Sequence, residues 1–150
     1  MQRGEIGVLK RLLFACTQNA VRSVIAEALF DQLACAPDYQ IASCGVIEGA
    51  ADGYAITVMQ EKGLDISAHE AQSFDALSPE DFDRIISFSA EAHDRAENWA
   101  QKGCNTELWE VRPPHIDERA RDATLESYRA LHDEIATKLE ANFGPFVQKT

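Results

Sequence analysis

Leu12-Leu13-Phe14-Ala15-Cys16-Thr17-Gln18-Asn19-Ala20-Val21-Arg22-Ser23 is the stretch on which the reading of this chain turns. Its first four residues form an unbroken apolar run, short for a helix and suited to a central parallel strand buried on both faces. The run stops at Cys16. From Ser23 onward, Ile25, Leu29, Phe30 and Leu33 recur at helical spacing, and Pro37 followed by Asp38 supplies a stop. A thiol therefore stands at a strand end and a guanidinium at a helix start, with five residues between them.

That placement has a chemical logic. Thr17, Gln18, Asn19, Ala20 and Val21 can curl so that successive backbone N–H groups point at one tetrahedral oxyanion, while the helix N-terminus adds its partial positive charge. Arg22 supplies a bidentate fork. The same N–H groups, the cation and the Ser23 hydroxyl favour a thiolate at Cys16 over a thiol. A thiolate in that position is a nucleophile for the phosphorus of a bound phosphomonoester, giving a cysteinyl-phosphate that water later removes. A Cys-x5-Arg spacing alone arises by chance in a chain of this length. Its position between a buried strand and a periodic helix removes most of that risk.

Working outward, apolar runs alternate with helical periodicity, the pattern of a parallel sheet covered by helices. Tyr39 to Ser43 reads as a second strand, with Gly45 and Gly49 in the loop after it and a helix near Asp52 to Lys62. Ser78-Pro79-Glu80-Asp81 begins a short turn. Arg84 to Phe88 is expected as the third strand, Ala90 to Lys102 as a helix ended by Gly103, and Glu107 to Val111 as the fourth strand. A last helix should start near Arg121, because Leu125, Tyr128, Leu131, Ile135, Leu139 and Phe143 share one face before Gly144-Pro145. The order βαβαβαβα implies right-handed crossovers, with ligands beyond the carboxyl ends of the strands.

The 150 residues make one expected domain, 1–150, with a single core. Nothing approaches the roughly 20 apolar residues of a membrane span, and Met1 to Gly7 is charged and has no apolar leader segment, so a soluble cytoplasmic protein is expected. The net charge of −11, from 25 acidic and 14 basic residues, argues against nucleic acid or anionic lipid as partner. Cys16, Cys35, Cys44 and Cys104 form no Cys-x-x-Cys pair, and no metal-ligand spacing emerges from the cysteines and histidines. Neither metal nor cofactor is called for. His69, His93 and His132 read as solvated or helix-packing residues, and Trp99 and Trp109 as packing side chains.

The segment from Leu12 to Ser23, continued by Ala26-Glu27-Ala28-Leu29, resembles the opening signature of the low-molecular-weight protein tyrosine phosphatases, within the arsenate-reductase-like superfamily. Ser43-Cys44-Gly45-Val46 resembles that family's Ser-Ala-Gly segment, Gly63 to Ser67 with His69 its next one, and Asp83 to Ser87 its third strand. The resemblance implies a three-layer α/β sandwich: a four-stranded parallel sheet with helices on both faces, of the phosphotyrosine phosphatase I-like kind. It also implies Cys16 as nucleophile, Arg22 as the phosphate-binding cation, Asn19 as a loop-shaping residue and Ser23 as support for the thiolate. The substrate so implied is a phosphotyrosine protein or a small aryl phosphate, with inorganic phosphate or sulfate able to occupy the loop.

Several positions depart from the pattern. Where the family has an Asp-Pro pair whose aspartate is the general acid, this chain has Pro113-Pro114. Gln18 replaces a usual glycine, Val21 a frequent second cysteine and Val24 a common proline. His115 and Asp117 read as residues of a polar turn. The implied activity is a cysteine-dependent phosphomonoesterase lacking its usual acid. The alternative is a catalytically impaired phosphate- or phosphoprotein-binding module. An arsenate reductase comes third, because that branch needs cysteines after the third strand, where Ser87 and Ser89 stand.

Overall fold

The computed structural model describes residues 8 to 147. The expectation drawn from Met1 to Gly7 lies outside them. The apolar run at the start becomes β1 (Lys10–Cys16), followed by α1 (Arg22–Phe30), β2 (Tyr39–Gly45), α2 (Gly53–Glu61), β3 (Arg84–Ser87), α3 (Ala90–Ala100), β4 (Asn105–Leu108) and α4 (Arg121–Phe143). All strand pairs are parallel, and the order across the sheet is β2-β1-β3-β4. β1 is therefore central. The chain leaves it toward β2 on one side and returns to β3 on the other, so the sheet's direction of winding reverses beside Cys16.

Alternation along β1 divides the core into two layers. Leu12, Phe14 and Cys16 face a cluster completed by Ile25, Leu29 and Phe30 of α1 and by Leu131, Ile135 and Leu139 of α4. Leu13 and Ala15 face Ala92, Ala96 and Trp99 of α3, together with Phe74 and Cys44. Both faces of the strand are buried, which is why its sequence carries no polar alternation. α2 packs through Ala55 and Val58 against Leu125 and Tyr128 of α4. This is the expected three-layer sandwich. Among the described residues no helix is long and apolar enough to cross a membrane.

Two elements, α1 and β4, differ from expectation in their bounds. α1 ends at Phe30 and not at Pro37; Leu33 lies beyond it in an isolated antiparallel bridge to Phe146 and is buried there. Pro37 instead sits in a 3-10 turn, Ala36–Asp38, that feeds β2. β4 comes two residues earlier than the Glu107 to Val111 reading. The last helix starts at Arg121, and Gly144, with φ 96°, ends it by donating its N–H to the Glu140 carbonyl. Trp99 packs on Phe74 and Phe82, and Trp109 on Phe88 and Phe143, as packing residues should.

Candidate active site

β1 delivers Cys16 to the carboxyl end of the sheet, and residues 17 to 21 turn before α1 begins at Arg22. Asn19 makes that turn possible. Its φ of 54° is the left-handed conformation, uncommon for any residue but glycine and best tolerated by Asn and Asp. The carbonyls of Cys16, Thr17 and Gln18 point away from the loop's concave side, accepting the N–H groups of Val46, Ile47 and Gly49. Among the described residues, the N–H groups of Thr17 to Val21 find no protein acceptor. α1 also begins without a side-chain cap at Val21. A row of donors and an uncapped helix start thus face the same space.

Two glycines allow the neighbouring loop to lie this close. A Cβ on Gly45 would come within 2.6 Å of the Asn19 nitrogen and 2.8 Å of the Gln18 carbonyl carbon, and one on Gly49 within 2.7 Å of the Gln18 Cβ. Gln18, the departure from the usual glycine, is accommodated by pointing outward, exposed, over Gly49.

Behind the loop lies a buried polar network centred on Asn19. Asn19 Nδ2 donates to Ser23 Oγ at 2.9 Å and to Ser43 Oγ at 2.9 Å. Ser43 passes its own proton to Glu27 Oε1 at 2.6 Å. Ser23 Oγ, having accepted from Asn19, lies 2.9 Å from Cys16 Sγ and 3.5 Å from the Cys44 carbonyl, and its own proton can go to either. Asn19 Oδ1 accepts from the Gln72 N–H at 3.0 Å and from His69 Nε2 at 3.0 Å, so His69 carries its proton on Nε2. His69 Nδ1 stands 3.9 Å from Glu27 Oε1.

The reading of His69 as a solvated or packing residue is therefore corrected: it braces Asn19. Glu27, Ser43 and Gln72 are further residues that site reasoning from sequence did not single out. His69 lies fifty residues from Asn19, and no spacing rule connects them.

Arg22 is half-buried and anchored by one nitrogen, which donates to the Val111 carbonyl at 2.7 Å; the other stands 3.5 Å from Thr17 Oγ1. Cys16, Thr17, Gln18, Ala20, Val21 and Arg22 line an open cavity of about 460 Å³, within the usual range for small-ligand sites. Asn19 and Ser23 are fully buried behind it. The far wall carries Asp52, Glu91, Pro113, Pro114, Ile116 and Tyr128. His115 and Asp117 are not part of that wall. Their N–H groups bond to Ser127 and Thr124, tying the turn to the start of α4.

The remaining cysteines are remote or turned away. All four are free. Cys44 is fully buried on the opposite face of the sheet from Cys16, and burial pushes its thiol far up. Cys104 precedes β4 at the other end of the sheet, its thiol pushed up to about 11 by burial. Cys35 lies near the start of β2, away from the loop.

The family model described as low molecular weight phosphotyrosine protein phosphatase matches residues 11–146. The chain belongs to that family. Its general class is accordingly that of the family's cysteine-based enzymes, whose activity is phosphatase or arsenate-reductase-like. Both branches are represented among its relatives. A glutaredoxin arsenate reductase of Synechocystis is 25% identical over 132 residues, spanning 88% of this chain and 95% of that protein. The structure of an arsenate reductase in the phosphate binding state superposes with a TM-score of 0.72 at 25% identity, covering 89% of this chain and 96% of the other. A tyrosine phosphatase of Erwinia amylovora gives 0.67 at 25% identity, covering 92% and 95%.

Proposed function

We propose that this protein is a cysteine-dependent phosphomonoesterase acting on aryl phosphates, phosphotyrosine in a protein or a smaller ester, through a cysteinyl-phosphate intermediate. The observation that carries this reading is the row of unaccepted N–H groups from Thr17 to Val21, curled around a cavity edged by Cys16 and Arg22. An oxyanion satisfies those donors; an apolar ligand does not. Ser23, supplied with a hydrogen bond by Asn19, is free to donate to sulfur, which is what an attacking thiolate requires. Arg22 is held by Val111 with its second nitrogen toward Thr17, where it can meet the equatorial oxygens of a transferring phosphoryl group.

Pro113 stands where the family's general acid is expected, lining the cavity with no proton to give. That position favours the second reading, a phosphate-binding module with little turnover of poor leaving groups, since general acid catalysis typically contributes about 10²–10⁴-fold. The reductase chemistry of some relatives would need a thiol able to reach Cys16. Cys44 faces away and Cys104 lies at the other end of the sheet, so that thiol would have to come from outside the chain.

The test compares the native chain, Cys16→Ser and Pro113→Asp on an activated aryl phosphate and on a phosphotyrosine peptide. Cys16-dependent cleavage of both by the native chain is the expected result. Phosphate binding by calorimetry without cleavage of either ester would leave the binding module. Arsenate reduction only with glutathione and glutaredoxin added would assign the chain to the reductase branch.

A further inference from the structure

Resting on the phosphatase reading, we infer that Glu91 is the proton donor to the leaving group, working from the same cavity wall that carries Pro113. The ionisable groups that line the cavity are Cys16, Arg22, Asp52, Glu91 and Tyr128. Cys16 and Arg22 have the roles given above. Asp52 has both oxygens committed: Oδ1 caps α2 through the Ala55 N–H at 3.0 Å, and Oδ2 accepts from the Tyr128 hydroxyl at 2.7 Å. Tyr128 gives its only proton to Asp52, and burial together with that carboxylate pushes the phenol well above its ordinary value. Each is engaged with the other, so neither presents a free group to a substrate.

Glu91 differs on each point. It is exposed, forms no salt bridge among the described residues, and its single recorded partner is the Thr17 hydroxyl at 3.3 Å, a long contact that occupies one oxygen only. Its position is set by short covalent distance and by rigid elements. β3 ends at Ser87, Ser89 caps α3 by accepting the Ala92 N–H at 3.2 Å, and Glu91 stands in the first turn of that helix. Thr17, which it touches, is the residue after Cys16 and is also the neighbour of Arg22. The carboxyl is thus beside the rim of the loop, where an ester oxygen leaving from a phosphoryl group held in it would emerge.

The reaction then balances without any further reactant. In the first step the Cys16 sulfur bonds to phosphorus, the bond from phosphorus to the aryl oxygen breaks, and that oxygen takes the proton of Glu91 and departs as the neutral phenol. In the second step Glu91, now a carboxylate, takes a proton from water as the water oxygen attacks phosphorus. The bond between sulfur and phosphorus breaks, its electron pair returns to Cys16, and inorganic phosphate leaves with Glu91 protonated again.

The experiment measures kcat against pH for an activated aryl phosphate and a phosphotyrosine peptide, using the native chain, Glu91→Gln, Glu91→Asp, Cys16→Ser and the double variant Glu91→Gln with Pro113→Asp. Glu91→Gln should lower kcat on the peptide by about 10²–10⁴-fold and on the activated ester far less, with inhibition by inorganic phosphate little changed. The alkaline fall of kcat on the peptide should vanish in Glu91→Gln, Glu91→Asp should keep part of the rate, and the double variant should recover it. Cys16-dependent turnover whose leaving-group sensitivity and pH profile are the same in Glu91→Gln would overturn the role of Glu91 and leave the phosphatase reading standing. Turnover that is absent, or survives in Cys16→Ser, would overturn both.

Discussion

Asn19 carries more of the site than any other residue outside Cys16 and Arg22. Its left-handed φ of 54° turns the loop, and its side chain connects Ser23, Ser43, His69 and Gln72. Asn19→Ala should lower kcat on an activated aryl phosphate by about 10²-fold, the scale associated with misplacement of reacting groups by an ångström or so. It should also lower stability to chemical denaturation by about 1–3 kcal/mol, because buried partners lose their hydrogen bonds. Asn19→Gly separates the two causes: it accepts the backbone angle, so stability should partly return while kcat does not. At this scale the geometry of the loop was legible in the sequence because its residues are contiguous. Cys16, Asn19, Arg22 and Ser23 lie within eight residues, and the strand before them and the helix after them were both visible. His69, Glu27 and Glu91 were not visible, because each meets the loop only after the chain has folded back, and an isolated histidine or glutamate has no distinguishing periodicity.

Elements bring their own constraints, and the end of β2 is the tightest. Gly45 and the loop after it run against the backbone of Gln18 and Asn19, and Val46, Ile47 and Gly49 bond the outward carbonyls of Cys16, Thr17 and Gln18. Gly45→Ala places a methyl where backbone already lies, so it should cost about 1–3 kcal/mol in stability and weaken phosphate binding, read by denaturation and by inhibition with inorganic phosphate. β4 is held differently. As an edge strand it carries polar residues, and Glu107 pairs with Arg84 of β3 through two guanidinium nitrogens, one at 3.0 Å, while also accepting from Trp109. The hydrogen bond from Arg84, opposed by burial, holds the Glu107 carboxyl below its ordinary 4.5. A carboxyl depressed in the folded state stabilises the fold once ionised, so this contribution is present above about pH 4.5 and is lost as pH falls through the folded value. Glu107→Gln should therefore cost about 1 kcal/mol at pH 7, and the gap between variant and native midpoints should close on acidification below pH 4.5. The same polarity explains why β4 was read two residues too late: hydrophobic pattern favours Trp109 and Val111, whereas the strand itself, Asn105–Leu108, is largely polar. α1 was read too long for a related reason. Leu33 keeps the helical spacing and is buried in the main cluster, but it lies beyond the helix, where its backbone is bridged to Phe146, 113 residues away along the chain.

For the whole molecule the dominant property is charge. A net −11 surrounds the proposed phosphate site, so on that proposal long-range and short-range forces oppose each other for a small dianionic ester. The long-range part is set by salt, because the screening length falls from roughly 30 Å at 0.01 M to about 8 Å at 0.15 M. The donors of residues 17 to 21 and Arg22 act at contact distance and are screened far less. Sodium chloride is the suitable salt, since sulfate and phosphate would compete for the loop itself. With a small aryl phosphate, kcat/KM should rise as sodium chloride goes from 0.01 to 0.15 M, by a factor of a few up to about tenfold, as repulsion is screened. With a phosphotyrosine peptide flanked by lysines and arginines it should fall over the same range, because there the molecule's field assists the encounter. Opposite slopes for the two substrates, with kcat itself constant, would assign the effect to encounter and favour basic phosphoprotein segments as substrates. Equal slopes would mean that the acidic residues lie too far from the cavity to bias selection, and that the choice of substrate rests on the walls around Glu91, Pro114 and Ile116.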